Sequence, residues 1–166
     1  MILSRKFSCF LFVIVCSSLI GCAGYRLGNI KGAQMKDVKS IYVPVVINRT
    51  TEPGLPVMTT NAILRALDND GTFSSASSKN ADAELEVTLV DFQRNSLRSS
   101  RDDTLITTQY EAVLTASVKL TNFRTGEVVF KDRKISGKTE YIVQADAVET
   151  ERQALPLAAQ NLGYNI

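Results

Sequence analysis

The chain has no histidine, no tryptophan and only three cysteines. Without histidine it lacks the commonest general base and the commonest zinc ligand. Cys9 and Cys16 fall in an N-terminal leader, which leaves Cys22 as the single cysteine of the remaining chain. No disulfide can form there, and no Cys/His cluster exists for zinc. A dominant charge is missing as well. Once Arg5 and Lys6 leave with the leader, 17 basic residues face 17 acidic ones. No global field then attracts a polyanion, nucleic acid is not an expected partner, and any anion site has to be a local cluster. The longest apolar run, Phe7 to Ile20, is shorter than the ~20 residues a membrane-spanning helix needs. There are no internal repeats.

The leader itself is ordered in its parts. A basic pair, Arg5 and Lys6, precedes the apolar run; a small residue, Gly21, and then Cys22 close it. This is the layout of a secretory signal. An ordinary signal needs no cysteine after the cut, whereas a bacterial lipoprotein signal uses that thiol as the nucleophile that accepts a diacylglyceryl group. Leu19-Ile20-Gly21-Cys22 fits the lipobox at every position. We therefore expect a signal peptide over 1–21, a lipidated tether over 22–36 and a single α+β domain over 37–166. The mature chain of 145 residues is long enough to bury roughly 68–70% of its unfolded surface without staples.

Periodicity then places the elements. Lys39 to Ile47 alternates as a strand, with Ile41, Val43, Val45 and Ile47 on one face. Pro44 cannot donate to a ladder, which predicts an edge or a bulge. Val57 to Asn69 reads as a helix with a stripe along Val57, Asn61, Leu64 and Asp68, widened by Ile63, Ala66 and Leu67, and stopped at Asp70-Gly71. Thr72 to Ala76 is a short strand candidate. Ala83 to Gln93 is a strand whose alternation shifts at Val90 and Phe92, which marks a bulge or a switch to a second buried surface. Asn95 to Asp103 reads as a polar connection. Thr104 to Asn122 carries the longest alternation in the chain. Arg124-Thr125-Gly126-Glu127 is a tight hairpin, and Glu127 to Ser136 returns as the next strand. Asp146 to Ile166 is a helix that Pro156 should kink or restart. The expected architecture is α+β, with two helices packed on one face of a mostly antiparallel four-stranded sheet.

Catalytic patterns fail on inspection. Gly137-Lys138-Thr139 resembles the end of a phosphate-binding loop, but Asp132 stands where the loop needs its first glycine. Ser136 and Lys138 share a strand face, yet no oxyanion-hole glycine motif accompanies them. Asp102-Asp103 reads as a solvated turn pair, and Asn48-Arg49-Thr50 is a glycosylation sequon by letter only. The basic residues are more informative. Arg94, Arg98 and Arg101 surround one connection, Arg124 caps a hairpin, and Lys131 and Lys138 lie on the return strand. If the two hairpins share a sheet end, these six side chains converge into a site suited to the phosphates of an anionic glycolipid. Otherwise they are solvated charges that protect a sheet edge.

Tyr42-Val43-Pro44-Val45, Asn48-Arg49-Thr50 and Glu52-Pro53-Gly54-Leu55 together resemble the opening strand and turn of the LptE lipopolysaccharide-assembly lipoprotein family. Thr60 to Ile63, Asp70 to Phe73, Ala81 to Leu85, Tyr110, Arg124 to Val128 and Gly24 to Leu27 extend the likeness. The resemblance implies two helices on a four-stranded sheet, no chemical reaction and no cofactor beyond the lipid on Cys22. It implies a lipid-anchored, periplasm-facing protein of the outer membrane that plugs and helps assemble a large β-barrel, LptD, and takes part in moving lipopolysaccharide to the outer leaflet. Ala23 after the cysteine is compatible with outer-membrane sorting. The residues alone leave open a generic envelope lipoprotein that binds another periplasmic partner or an anionic glycolipid.

Overall fold

The computed structural model describes residues 33–99, 107–143 and 147–166. The expected signal peptide, Cys22 and most of the expected tether lie outside the described residues. A single turn of 3-10 helix at Ala33–Met35 leads into β1 (Ser40–Tyr42), β2 (Ile47–Asn48), α1 (Leu55–Asp70), β3 (Ser74–Ser75), β4 (Ala83–Ser99), β5 (Thr107–Asn122), β6 (Val128–Ile142) and α2 (Ala147–Asn165).

The sheet has six strands, not the expected four. Its order is β3-β1-β4-β5-β6, with β2 also alongside β4. The long strands β4, β5 and β6 form an antiparallel meander. The short β1 and β2 run parallel to β4, and β3 runs parallel to β1. The fold class is α+β, with both helices packed against a mixed, mostly antiparallel sheet.

One extra strand comes from Pro44. It has no N–H to donate, and the N–H of Val46 goes to Thr60 Oγ1 on α1 at 3.0 Å. The ladder is broken there into β1 and β2, and the side-chain alternation slips by one residue. Ile41 and Val43 are buried as expected, but Val46 takes the next core position, leaving Val45 70% and Ile47 54% exposed. The helix stripe is corrected too. The buried line of α1 runs through Leu55, Thr59, Ala62 and Ile63, and Val57 faces solvent. Gly71 ends α1 at φ 68°, its N–H donating to the Leu67 carbonyl at 3.1 Å.

The meander is longer than alternation suggests. β4 continues through Asn95 to Ser99, where a polar connection was expected, and β6 continues to Ile142. The expected bulge is present, with the β4–β5 register shifting between Leu89 and Asp91. β6 has its own irregularity opposite Val118 and Leu120, where Asp132 takes φ 55°, a conformation aspartate tolerates better than most residues. Gly126 at φ 72° makes the β5–β6 turn.

The core lies on one sheet face. Leu85, Val87, Leu89, Leu114, Ala116 and Val118 are buried there together with Leu155, Ala158 and Leu162 of α2. Helix α2 runs through Pro156 without ending. It lies directly on β6: a Cβ on Gly137 would stand 2.2 Å from the Leu162 nitrogen. The Lys138 N–H donates to Asn161 Oδ1 at 3.1 Å, and Asn165 Nδ2 donates to the Ser136 carbonyl at 2.9 Å. Backbone groups on the outer edge of β6 are thereby satisfied by the helix instead of by a seventh strand.

Candidate functional site

A meander has two ends, and the candidate cations are divided between them. Arg94 and Arg98 lie on β4 opposite Ala112 and Gln109, and Lys138 lies on β6 opposite Val113. These three positions share the end where β4 runs towards β5. Arg101 lies outside the described residues. Arg124 follows β5 at the opposite end, and Lys131 lies just beyond it on β6. Ten residues of β5 separate Ala112 from Asn122, about 33 Å along a strand. The two hairpins do not share a sheet end, so the six side chains do not converge on one ligand.

Three of these cations hold carboxylates of the same chain. Arg94 Nη2 meets Glu52 Oε1 at 3.2 Å and its Nε meets Glu151 Oε1 at 2.8 Å. Its guanidinium also lies 5.7 Å from the centroid of the Phe92 ring. One arginine on β4 thus ties the turn before α1 to the first turns of α2. Lys138 Nζ lies 3.6 Å from Glu111 Oε1 on the neighbouring strand. Arg124 Nε donates to Asp82 Oδ1 at 2.7 Å. Lys131 is exposed.

Beside Arg94, Tyr110 and Tyr141 stack with ring centroids 5.6 Å apart. Burial, then the nearby Glu151 carboxylate, push the Tyr141 hydroxyl above its ordinary range. At the other end, Asp82 Oδ2 accepts the N–H groups of Lys39 and Ser40 at 2.9 and 3.1 Å and the Ser40 hydroxyl at 3.2 Å. The Lys39 N–H first, and then Arg124, hold the Asp82 carboxyl down at about 2. Sequence reasoning missed Glu52, Asp82, Glu111 and Glu151 as partners. Glu52 and Asp82 are each 42 residues from their arginine, so no local spacing announces them.

The catalytic look-alikes resolve into structure. Ser136 Oγ is hydrogen-bonded to Thr115 Oγ1 at 3.0 Å, while Lys138 is turned to Glu111. Among the described residues no group of histidine, cysteine, aspartate and glutamate is placed to hold a metal ion, and no helix is long and apolar enough to cross a membrane. Across the β4–β5 pair, Lys119 is hydrogen-bonded to Glu86, which raises its ammonium above the ordinary value.

Comparison with known proteins supplies the family. The sequence model of the LptE family, lipopolysaccharide-assembly, matches residues 38–164. No curated protein matches the chain. Among solved structures, a protein of Xanthomonas campestris superposes with a TM-score of 0.52 at 12% identity, covering 81% of this chain and 84% of its own. The PelC dodecamer of Paraburkholderia phytofirmans gives 0.46 at 16% identity, over 76% and 84%. A lipoprotein of Caulobacter crescentus gives 0.48 at 14%, over 74% and 81%. The first of these is a likeness of fold.

Proposed function

The chain belongs to the LptE lipopolysaccharide-assembly family, a non-enzymatic lipoprotein family of the Gram-negative envelope, and from that premise we propose that it plugs and helps assemble the outer-membrane barrel LptD. In this role it takes part in delivering lipopolysaccharide to the outer leaflet. Cys22 carries the lipid that anchors it on the periplasmic side of that membrane. The carrying observation is the extent of the family match, which takes in β1, both helices and the whole meander and breaks off only at the last turn of α2.

The geometry supports a division of the six basic candidates. Arg94, Arg98 and Lys138 hold positions at one end of the meander, and Arg101 follows Arg98 by three residues in sequence, so this is the set we assign to lipopolysaccharide phosphates. Arg94 also braces the two helices and has to be shared between carboxylates and ligand. Arg124 and Lys131 belong to a separate surface. Affinity purification of the full-length lipidated chain, with lipopolysaccharide binding measured in parallel, tests both parts. The barrel is expected to co-purify. Arg98→Ala with Arg101→Ala is expected to weaken lipopolysaccharide binding, and Arg124→Ala with Lys131→Ala to leave it unchanged. A preparation that brings down no barrel overturns the plug. Equal binding by both double variants overturns the assignment of the β4–β5 end.

A further inference from the structure

The N-terminal lead joins the fold at the sheet end opposite Arg94. Met35 and Val38 are buried in the core. Asn122 Nδ2 donates to the Gln34 carbonyl at 3.1 Å, and Gln34 Nε2 donates to Glu127 Oε1 at 2.9 Å. The lead is therefore fastened to the β5–β6 hairpin. Twelve residues separate Gln34 from Cys22, a reach of at most about 40 Å. On the reading that Cys22 carries the lipid, this hairpin is the part of the fold held closest to the bilayer.

Its surface suits that place. Phe123 and Val128 flank the turn and are 46% and 44% exposed. Arg124 lies between them, and Lys131, Arg133 and Lys134 are exposed along the first half of β6. The Arg133 guanidinium lies 5.6 Å from the centroid of the Phe130 ring. Two neighbouring carboxylates are already engaged, Asp82 by Arg124 and Glu127 by Gln34. Asp132 faces solvent among the three cations. Exposed apolar side chains gain by entering the headgroup–acyl boundary of a bilayer, and long basic side chains reach lipid phosphates while their stems lie on apolar surface.

We propose that the β5–β6 hairpin is a membrane-docking surface. Phe123 and Val128 enter the headgroup region of an anionic leaflet, and Lys131, the exposed β6 cation nearest the turn, meets its phosphates. The inference rests on Cys22 as the anchor, which raises the local concentration of a contact that is weak alone.

The absence of tryptophan makes the test clean. Full-length lipidated protein carrying Phe123→Trp as its only tryptophan is floated with vesicles of phosphatidylethanolamine and phosphatidylglycerol, with and without bromine on the acyl chains. A second probe, Leu97→Trp, sits at the far end of β4. The Phe123 N–H donates to the Asp82 carbonyl, and fifteen residues of β4 and its approach separate Asp82 from Leu97, about 45–50 Å along the strand. The expected result is a blue-shifted emission that loses most of its intensity in brominated vesicles for Phe123→Trp, and no change for Leu97→Trp. Val128→Trp gives the same readout should Phe123→Trp not fold. Floated protein whose Phe123→Trp emission is unquenched, or quenched no more than that of Leu97→Trp, overturns the docking surface and leaves the anchor standing. Protein that does not float with Cys22 intact, or floats equally well as Cys22→Ser, overturns the anchor instead.

Discussion

A single methyl group added at Gly137 should be among the costliest small changes to this fold. A Cβ there would stand 2.2 Å from the Leu162 nitrogen, 2.5 Å from the Ala158 carbonyl oxygen and 2.6 Å from the Leu162 Cα. All three are backbone atoms of α2, so no side chain can rotate away. The helix has to lift from β6, opening the layer of Ala158, Leu162 and Leu114 beneath it and stretching the bonds from Asn161 and Asn165. Overpacking costs about 1–3 kcal/mol and is worst where the neighbours are rigid. Alanine also reduces the freedom of the unfolded chain, which returns about 0.4–1 kcal/mol. With the overpacking at the top of its range because the neighbours are backbone, the expected net loss is about 2 kcal/mol, a fall in Tm of roughly 5–10 °C for a domain of this size. Two other glycines calibrate the measurement. Gly163→Ala meets the Ala62 and Ile63 backbone at 2.9–3.1 Å, so α1 has to give by a few tenths of an ångström; up to about 1 kcal/mol of helix propensity offsets this, and the variant should be destabilised less than Gly137→Ala. Gly54→Ala meets only the end of the Met58 side chain at 3.5 Å and should lie within about 0.5 kcal/mol of the parent. Urea melts at constant slope read the series. A Gly137→Ala protein as stable as Gly54→Ala would refute the close approach of α2 to β6.

The same contact predicts a change in association. Asn161→Ala with Asn165→Ala leaves the Lys138 N–H and the Ser136 carbonyl on an open edge, costing about 1 kcal/mol or less per lost bond and exposing a strand to other chains. Light scattering against concentration should show self-association in the double variant, and a monomer at every concentration would count against an edge-protecting role. Acid should act through Asp82. Its carboxyl is held at about 2 in the fold against an ordinary 3.8, so its contribution is complete above 3.8 and is lost as the pH falls through about 2. The Tm gap between the parent and Asp82→Asn should therefore narrow over that interval, and a gap that persists undiminished at its acid end contradicts the assignment.

Much of the fold was legible because strands announce themselves by alternation. Six successive matches from Tyr110 to Leu120 located β5, and the slip at Val90 located its neighbour's bulge. Alternation failed where the deciding partner was far away. Val45 and Ile47 continue the pattern of Ile41 and Val43, but Thr60 takes the Val46 N–H and reverses the faces. Asn95 to Ser99 is polar enough to pass for a loop, yet it pairs with β5 because hairpin pairing needs backbone groups more than apolar side chains. In α1, Val57 falls on the stripe that periodicity draws yet faces solvent, while Thr59, outside that stripe, is wholly buried. The basic residues could be found by sequence, but not their distribution. A meander alternates its direction, so consecutive turns fall at opposite ends and the two clusters are a strand length apart.

The parallel seating of β1 has a consequence for the order in which the chain closes. The two hairpins can zip from their turns, beginning with pairs such as Thr121 and Val128 or Ser99 and Thr107. β1 and β2 have no such start. Their partners, Ile41 with Ala83 and Asn48 with Leu89, are about forty residues apart, and a loop of that length has to close before any bond rewards it. From the loop lengths alone, β1 and β2 are expected to seat after the meander has zipped, leaving the β4 flank unfilled until they do. The delay belongs to the topology, and it sets a period in which the β4 flank is open to whatever strand reaches it first.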